Sequence, residues 1–166
     1  SYKHQGERRC QIWNREHGLE YTIMRPSALY GTRDMVTRVI SQMTRSAITR
    51  NQITVQGPEN RLDFSNVTDV ADAFARAATI DTAANQIFNC TRGYGRTILE
   101  AAELVRDTLG KGEIQTKPHD PFYPNRDTLN SDKIKKLLGW NPTVDIEQGI
   151  PEYVEWFLQQ KCYNEK

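Results

Sequence analysis

The chain is poor in the residues and spacings that mark several common protein classes. It has 3 cysteines and 3 histidines in 166 residues, and no CxxC, HxxxH or HExxH spacing occurs. A zinc ribbon, a redox dithiol or another metal site is therefore not expected. Because the cysteines lie far apart and are odd in number, they favour free thiols in the reducing cytoplasm.

Charge of one sign and long hydrophobic runs are also lacking. The 22 Lys and Arg residues nearly balance the 21 Asp and Glu residues, so the net charge is +1. Nucleic-acid binding is not expected, because it requires a surplus of basic residues. No apolar run approaches the roughly 20 residues that span a bilayer, so no membrane partner is expected. The 3 Trp, 7 Tyr and 5 Phe predict a folded domain with a modest core.

Hydrophobic periodicity and capping signals predict helices that alternate with short strands. The predicted helices cover about 3–17, 35–47, 68 onward, 97–109, 131–138 and 145–157, and the predicted strands cover 19–24, 53–55, 62–64, 86–90 and 114–117. Thr97 with Glu100 fits a capping box, Asp145 with Gln148 is a second candidate, and Ser131 is an expected cap. Pro151 implies either a later start of the last helix or a kink. The alternation predicts an α/β architecture.

Several short segments, in order, carry a resemblance to one enzyme family. They are Lys3-x-x-Gly6-Glu7, Arg25-Pro26-Ser27-Ala28-Leu29-Tyr30-Gly31, Ile53-x-Val55-x-Gly57, Arg61-x-Asp63-Phe64-x-x-Val67-x-Asp69-Val70-Ala71, Phe88-Asn89, Leu137-Leu138-Gly139-Trp140-x-Pro142 and Glu155-Trp156-Phe157. Over essentially the whole chain they resemble the C-terminal half of the extended short-chain dehydrogenase/reductases, the NAD-dependent sugar-nucleotide epimerases and dehydratases.

The resemblance implies a partial Rossmann-like sheet plus a small C-terminal substrate-binding domain, with residues 1–166 forming the C-terminal portion of such a protein. The family's glycine-rich phosphate turn, GxGxxG or GxxGxxG, does not occur here. The tyrosine of its Tyr-x-x-x-Lys motif would fall one position before Ser1. We therefore expect a fragment that lacks the N-terminal glycine-rich half, binds NAD weakly or not at all, and is inactive alone.

The resemblance also assigns residues to the cofactor side of a site. Lys3 matches the lysine that bonds the nicotinamide ribose and lowers the pKa of the catalytic tyrosine, so it is the candidate catalytic and cofactor-binding residue. Pro26 and Ser27 follow a predicted strand end, where α/β folds place ligands, and match the backbone that meets the nicotinamide. Ala28 stands where relatives often have a substrate-bonding Asn, so that contact is not expected.

Arg61 is the strongest candidate for substrate binding. The resemblance assigns it to the diphosphate of a nucleotide sugar, which a guanidinium can bind bidentately. Arg126 matches a second arginine, and the two would meet over one diphosphate; surface pairs with Glu59 and Asp127 are the alternative. The stretch around Val55 is expected near the nucleotide base, and Asn89 is expected to face the same site.

The leading interpretation is the substrate-binding half of an NAD-dependent sugar-nucleotide epimerase or dehydratase. A non-catalytic module that binds a nucleotide sugar or docks on a protein is one alternative, and a fragment of an NADP-dependent carbonyl reductase is another. Expected partners are a nucleotide-diphosphate sugar and either a second copy, as a homodimer, or the missing N-terminal half. Half of an open sheet would leave an edge and an apolar face to cover.

Overall fold

Helices and strands alternate along the chain, as predicted for an α/β protein. The computed structural model describes residues 2–121 and 127–160. Its helices are α1 (Tyr2–His17), α2 (Val39–Arg50), α3 (Val67–Thr79), α4 (Ile98–Leu109), α5 (Asp132–Leu138) and α6 (Ile146–Leu158). Its strands are β1 (Thr22–Arg25), β2 (Ala28–Tyr30), β3 (Gln52–Gln56), β4 (Arg61–Leu62), β5 (Phe64–Asn66), β6 (Gln86–Asn89), β7 (Arg96–Thr97) and β8 (Glu113–Lys117).

The strands form two-stranded pairs that join distant parts of the chain. Three pairs are parallel: β1 with β6, β2 with β5, and β3 with β8. The fourth, β4 with β7, is antiparallel. Parallel pairs require crossover connections, and each connection here contains helices: α2 lies between β2 and β5, α2 and α3 lie between β1 and β6, and α3 and α4 lie between β3 and β8. The mainly parallel pairing and the alternating helices form the predicted α/β fold.

Several predicted boundaries were wrong. Helix α2 begins at Val39 rather than near 35, because Arg38 is extended and its backbone N–H donates to the Ser41 hydroxyl, 3.0 Å away. It continues three residues beyond the predicted end and stops where Asn51 adopts a left-handed conformation, φ 51°. Strand β2 was not predicted; after Pro26 ends β1, the chain resumes an extended path at Ala28 and pairs with β5.

The predicted helix caps had mixed outcomes. The Thr97–Glu100 capping box is present in both directions. Asp145 caps α6 by accepting from the Ile146 N–H, but Gln148 donates to Glu152 instead of closing a box. Ser131 stands at the start of α5 but makes no capping bond through its side chain. Pro151 lies inside α6, as the sixth residue of the helix.

Two apolar clusters hold these elements together. One lies among α2, α4, α6 and β3 and includes Ile53, Val55 and Phe157, each 0% exposed. The other joins α3, β6 and α5 and includes Phe88 and Trp140, also 0% exposed. The prediction that Phe64, Trp140, Trp156 and Phe157 belong to the core is confirmed, with Trp156 at its partly buried margin.

Candidate functional site: a cavity beside Arg61

A cavity of about 800 Å³ opens between α2, β3 and the start of β4. Strand β3 supplies one wall: Ile53 and Val55 point into the core, so the alternating residues Thr54 and Gln56 face the cavity. Helix α2 supplies the other wall through Gln42, Ser46 and Thr49, among others. These residues are spaced i, i+4 and i+7, so they form one polar stripe on the helix.

Arg61 lies on the wall of this cavity, at the start of β4. Its half-buried side chain is held in place, because a guanidinium N–H donates to the Gly95 carbonyl. Gly95 has no room for a side chain: a Cβ there would lie 2.8 Å from Asp127 Oδ1 and 3.5 Å from Arg61 Nε. Glycine at this position therefore allows Arg61 and the segment that begins at Asp127 to approach the same loop.

Asp63 secures the loop that holds Arg61. Its side chain is 0% exposed, and its oxygens accept from the backbone N–H groups of Arg92 and Gly93, both at 2.9 Å. The Thr128 hydroxyl donates to the same carboxylate at 2.7 Å, and the Ser65 hydroxyl at 3.3 Å. A buried carboxylate is tolerated when its oxygens are satisfied in this way. Asp63 therefore has a structural role in this loop.

An ion-pair network fixes the other side of the same loop to the start of α6. Arg92 pairs with Asp145 at 3.0 Å, and Arg96 pairs with both Asp145 and Glu147. The hydrogen bond from Arg96 lowers the pKa of Glu147 below its ordinary value, and the same contact raises the pKa of Arg96. The loop over 91–96 is thus braced from two directions, which gives Arg61 a rigid support.

A second region, on the predicted cofactor side, lies at the carboxyl end of β1. Arg25 donates to both carboxylate oxygens of Glu7, with Nε and Oε1 2.8 Å apart. This hydrogen bond lowers the pKa of Glu7 and raises that of Arg25. Lys3 precedes Glu7 by four residues and shares its face of α1, the face turned toward the β1 end where Pro26 follows Arg25.

The remaining predicted site residues that the structure describes are not on the cavity wall. Val55 has its side chain in the core, while its neighbours in the strand face the cavity. Asn89 ends β6, beside the end of β1, and its Nδ2 donates to the Asn130 carbonyl at 2.9 Å. Ser27 is half-buried and Pro26 exposed. Arg126 lies outside the described residues, so its meeting with Arg61 stays a prediction.

Most of the cavity-lining residues were missed by the sequence analysis. Thr54 and Gln56 could have been inferred, because the burial of Ile53 and Val55 implies that the alternating residues face the other way. Asn60, His119 and Asp120 gave no such signal. They reach the cavity through the pairing of β3 with β8, which joins segments about 60 positions apart in the register of Gln52 with Glu113.

In residues 2–121 and 127–160, no three His, Cys, Asp or Glu side chains group as metal ligands. Burial raises the pKa of the Cys90 thiol to about 11, so it stays protonated near neutral pH. None of the described helices is both long and apolar enough to cross a membrane.

Comparison with known proteins decides the family. The sequence profile of the NAD dependent epimerase/dehydratase family matches residues 1–91, more than half of the chain. The chain belongs to this family. The match runs through α1, β1 and Arg61, so it includes both the predicted cofactor side and the arginine of the cavity.

Individual relatives agree with this assignment. A dTDP-glucose 4,6-dehydratase from Streptomyces niveus is 27% identical over 95% of this chain and 48% of its own length. A putative UDP-glucose 4-epimerase from Methanocaldococcus jannaschii is 32% identical over 93% of this chain and 51% of its own length. The structure of a Thermotoga maritima UDP-glucose 4-epimerase with UDP-glucose matches with a TM-score of 0.86 and 29% identity, covering 95% of this chain and 52% of that one. The chain thus spans about half the length of the relatives it matches.

NAD is the cofactor of the family, and the residues present fit only one edge of an NAD site. The end of β1, with exposed Pro26 and half-buried Ser27, and the Lys3 face of α1 offer one lysine and backbone groups. A glycine-rich turn that could cradle the pyrophosphate is absent from the 166 residues. No catalytic step is therefore derived from these residues.

Proposed function

We propose that this chain is the substrate-binding half of an NAD-dependent sugar-nucleotide epimerase or dehydratase. The observation that carries the proposal is Arg61 on the wall of a cavity of about 800 Å³ that also presents amide and hydroxyl groups. That volume lies within the roughly 300–1,000 Å³ typical of small-molecule sites. The guanidinium suits a diphosphate, and the amide and hydroxyl groups of Gln42, Thr54 and Gln56 suit a base and ribose.

Arg126 is proposed as the second arginine of the diphosphate site. Support comes from Asp127, its neighbour in sequence. The Asp127 carboxylate lies close to Gly95, and the Gly95 carbonyl accepts a hydrogen bond from Arg61. Val55 is proposed to act through the backbone of β3, and Asn89 through the carboxyl end of β6.

The isolated chain is proposed to be inactive. Its 166 residues contain Lys3 but no glycine-rich turn for NAD. Turnover of UDP-glucose or dTDP-glucose by the isolated chain with added NAD would contradict this. Nucleotide binding without turnover is the expected result, and it is shared by the alternative of a non-catalytic binding module.

Calorimetric titration with UDP, dTDP and GDP tests the binding site. At least one of these should bind, and Arg61→Gln should weaken binding at least about tenfold, because a charge-assisted hydrogen bond contributes about 1.5–3 kcal/mol. Arg106→Gln is the matched control, since Arg106 lies on α4 outside the cavity and pairs with Asp107. No heat with any of the three, or equal affinity in Arg61→Gln, would contradict the proposal.

We further propose that the chain associates, either as a homodimer or with the polypeptide that completes its sheet. None of the residues of α1 is buried, and Trp13 is 52% exposed. Among the described residues, β1 pairs only with β6, which leaves its other edge open. Light scattering at high concentration should show a species heavier than the monomer, and a clean monomer would contradict this.

A further inference from the structure

His119 lines the cavity together with Asn60 and Arg61, and its imidazole is held by a specific contact. Asn60 Nδ2 and His119 Nδ1 are 2.7 Å apart. Asn60 directly precedes Arg61 in the chain. The contact therefore ties the segment that follows β8 to the strand that carries the cavity arginine.

Asn60 is itself well fixed, so it can hold the imidazole in one orientation. Its backbone N–H donates to the Gly57 carbonyl and its carbonyl accepts from the Ile98 N–H, both at 2.9 Å. Gly57 has a φ of 64°, and the Asn60 amide occupies the space that a side chain on Gly57 would need. The turn between β3 and β4 thus sets the position of the Asn60 amide.

The contact also selects the tautomer of His119. An amide nitrogen donates and does not accept, so the Nδ1 atom that receives it carries no proton. The imidazole proton is then on Nε2. Within residues 2–121 and 127–160, no group pairs with Nε2. This arrangement leaves one oriented N–H donor on a cavity-lining residue.

We propose that His119, held by Asn60 as the Nε2–H tautomer, donates a hydrogen bond to a phosphate oxygen of the bound nucleoside diphosphate. The inference rests on the proposed function, because it assigns a ligand to the same cavity. Phosphate oxygens accept hydrogen bonds strongly, and an imidazole N–H on a cavity-lining residue would add a directional donor beside the guanidinium of Arg61. His119 is then a substrate-binding residue and Asn60 its positioning residue.

Three substitutions of His119 distinguish a role in ligand binding from a role limited to the structural contact with Asn60. In a Gln side chain the amide nitrogen reaches the place of Nε2, whereas in Asn it reaches only the place of Nδ1, and Phe retains the ring alone. Titration with UDP, dTDP and GDP should give near wild-type affinity for His119→Gln and affinities about tenfold or more lower for His119→Asn and His119→Phe. If His119 served only as a partner of Asn60, Asn would preserve affinity better than Gln. His17→Gln, on α1, is the control.

Nitrogen-15 NMR of the imidazole reports which ring nitrogen carries the proton, a property that a change in stability alone would not alter. Wild-type His119 should carry its proton on Nε2 at neutral pH, and Asn60→Asp should shift it to Nδ1, because a carboxylate only accepts. A wild-type proton on Nδ1, or unchanged affinity in His119→Phe while Arg61→Gln loses binding, would overturn this inference alone. Absence of binding of UDP, dTDP, GDP and pyrophosphate by the wild type would overturn it together with the proposed function.

Discussion

Helix α6 buries six of its 13 residues, whereas α1 buries none of its 16. In α6 the buried side chains include Ile146, Ile150 and Phe157, spaced so that they form one apolar stripe against the core. Helix α1 is instead attached by polar contacts, Glu7 with Arg25 and Asn14 with Asn85. The comparison separates a side that is packed within this chain, next to the Arg61 cavity, from a side whose helix is attached by polar contacts.

The difference also indicates where further polypeptide belongs. Parallel strands are normally covered on both faces, yet no residue of β1 is fully buried. Strand β3, by contrast, buries Ile53 and Val55 and has α2 and α4 packed beside it. A cavity can therefore be formed on one side of the molecule, while the side of α1 and β1 is where the proposed association would take place.

Aromatic truncation should show the largest contrast between the two helices. Phe157→Ala in α6 removes a 0% exposed ring and should lower the free energy of unfolding by about 3–5 kcal/mol. Trp13→Ala in α1 should change it by less than about 0.5 kcal/mol. Urea unfolding followed by circular dichroism measures both. Equal losses would show that α1 is as firmly packed as α6 and break the comparison.

Removal of a buried carboxylate should have the next largest effect. Asp63→Asn replaces one carboxylate oxygen, which accepts, with an NH2 group, which can only donate and would face N–H or O–H donors. The substitution should therefore lower the free energy of unfolding by about 2–3 kcal/mol. It should also weaken nucleotide binding, because the loop that supports Arg61 loses its anchor. Glu7→Gln, at the exposed contact of α1, is the matched control and should have a much smaller effect on stability. A neutral Asp63→Asn would contradict the bracing role.

The smallest predicted effect depends on pH. The pKa of Glu147 lies below its ordinary value near 4.5 because Arg96 bonds the ionised form. A lowered carboxyl pKa stabilises the fold above pH 4.5 or so, and the contribution is lost as pH falls through the folded-state pKa. Since Glu147 is half exposed, Glu147→Gln should cost less than about 1 kcal/mol at pH 7.

Urea midpoints of the wild type and Glu147→Gln at pH 7 and pH 3 check this sign. The difference between the two proteins should shrink at pH 3, which lies below the ordinary carboxyl pKa of 4.5, because the unfolded state then binds the proton more readily than the folded state. A difference of the same size at both pH values would mean that the Arg96 contact does not stabilise the start of α6 through charge.

Local features of the fold were predictable where the signal lies in neighbouring residues. Thr97 and Glu100 satisfy each other within one turn, so the start of α4 follows from the sequence alone. Gln148 shows the limit of that reasoning, because its side-chain amide donates to Glu152 instead of closing a capping box with Asp145. Strand β2 exists through its pairing with β5, a partner about 36 positions away in the register of Ala28 with Phe64, which local propensity does not reveal.

The site was predictable only in part. Arg61 was found through its motif, and the structure places it on a cavity wall. His119 and Asp120 share that cavity because β8 pairs with β3, and the anchoring of the loop by Asp63 requires contacts that span 29 to 65 positions. These contacts join residues that are distant in sequence, so they depend on the strand topology. A sequence motif could therefore identify the arginine but not the cavity around it.

Backbone NMR of the chain titrated with UDP tests the central claim most directly. If the cavity between α2 and β3 is the nucleotide site, the amide signals of Thr54, Gln56, Asn60 and Arg61 should shift on binding, while those of α1 stay in place. Shifts concentrated on α1 and the end of β1, with the cavity residues unaffected, would contradict the account.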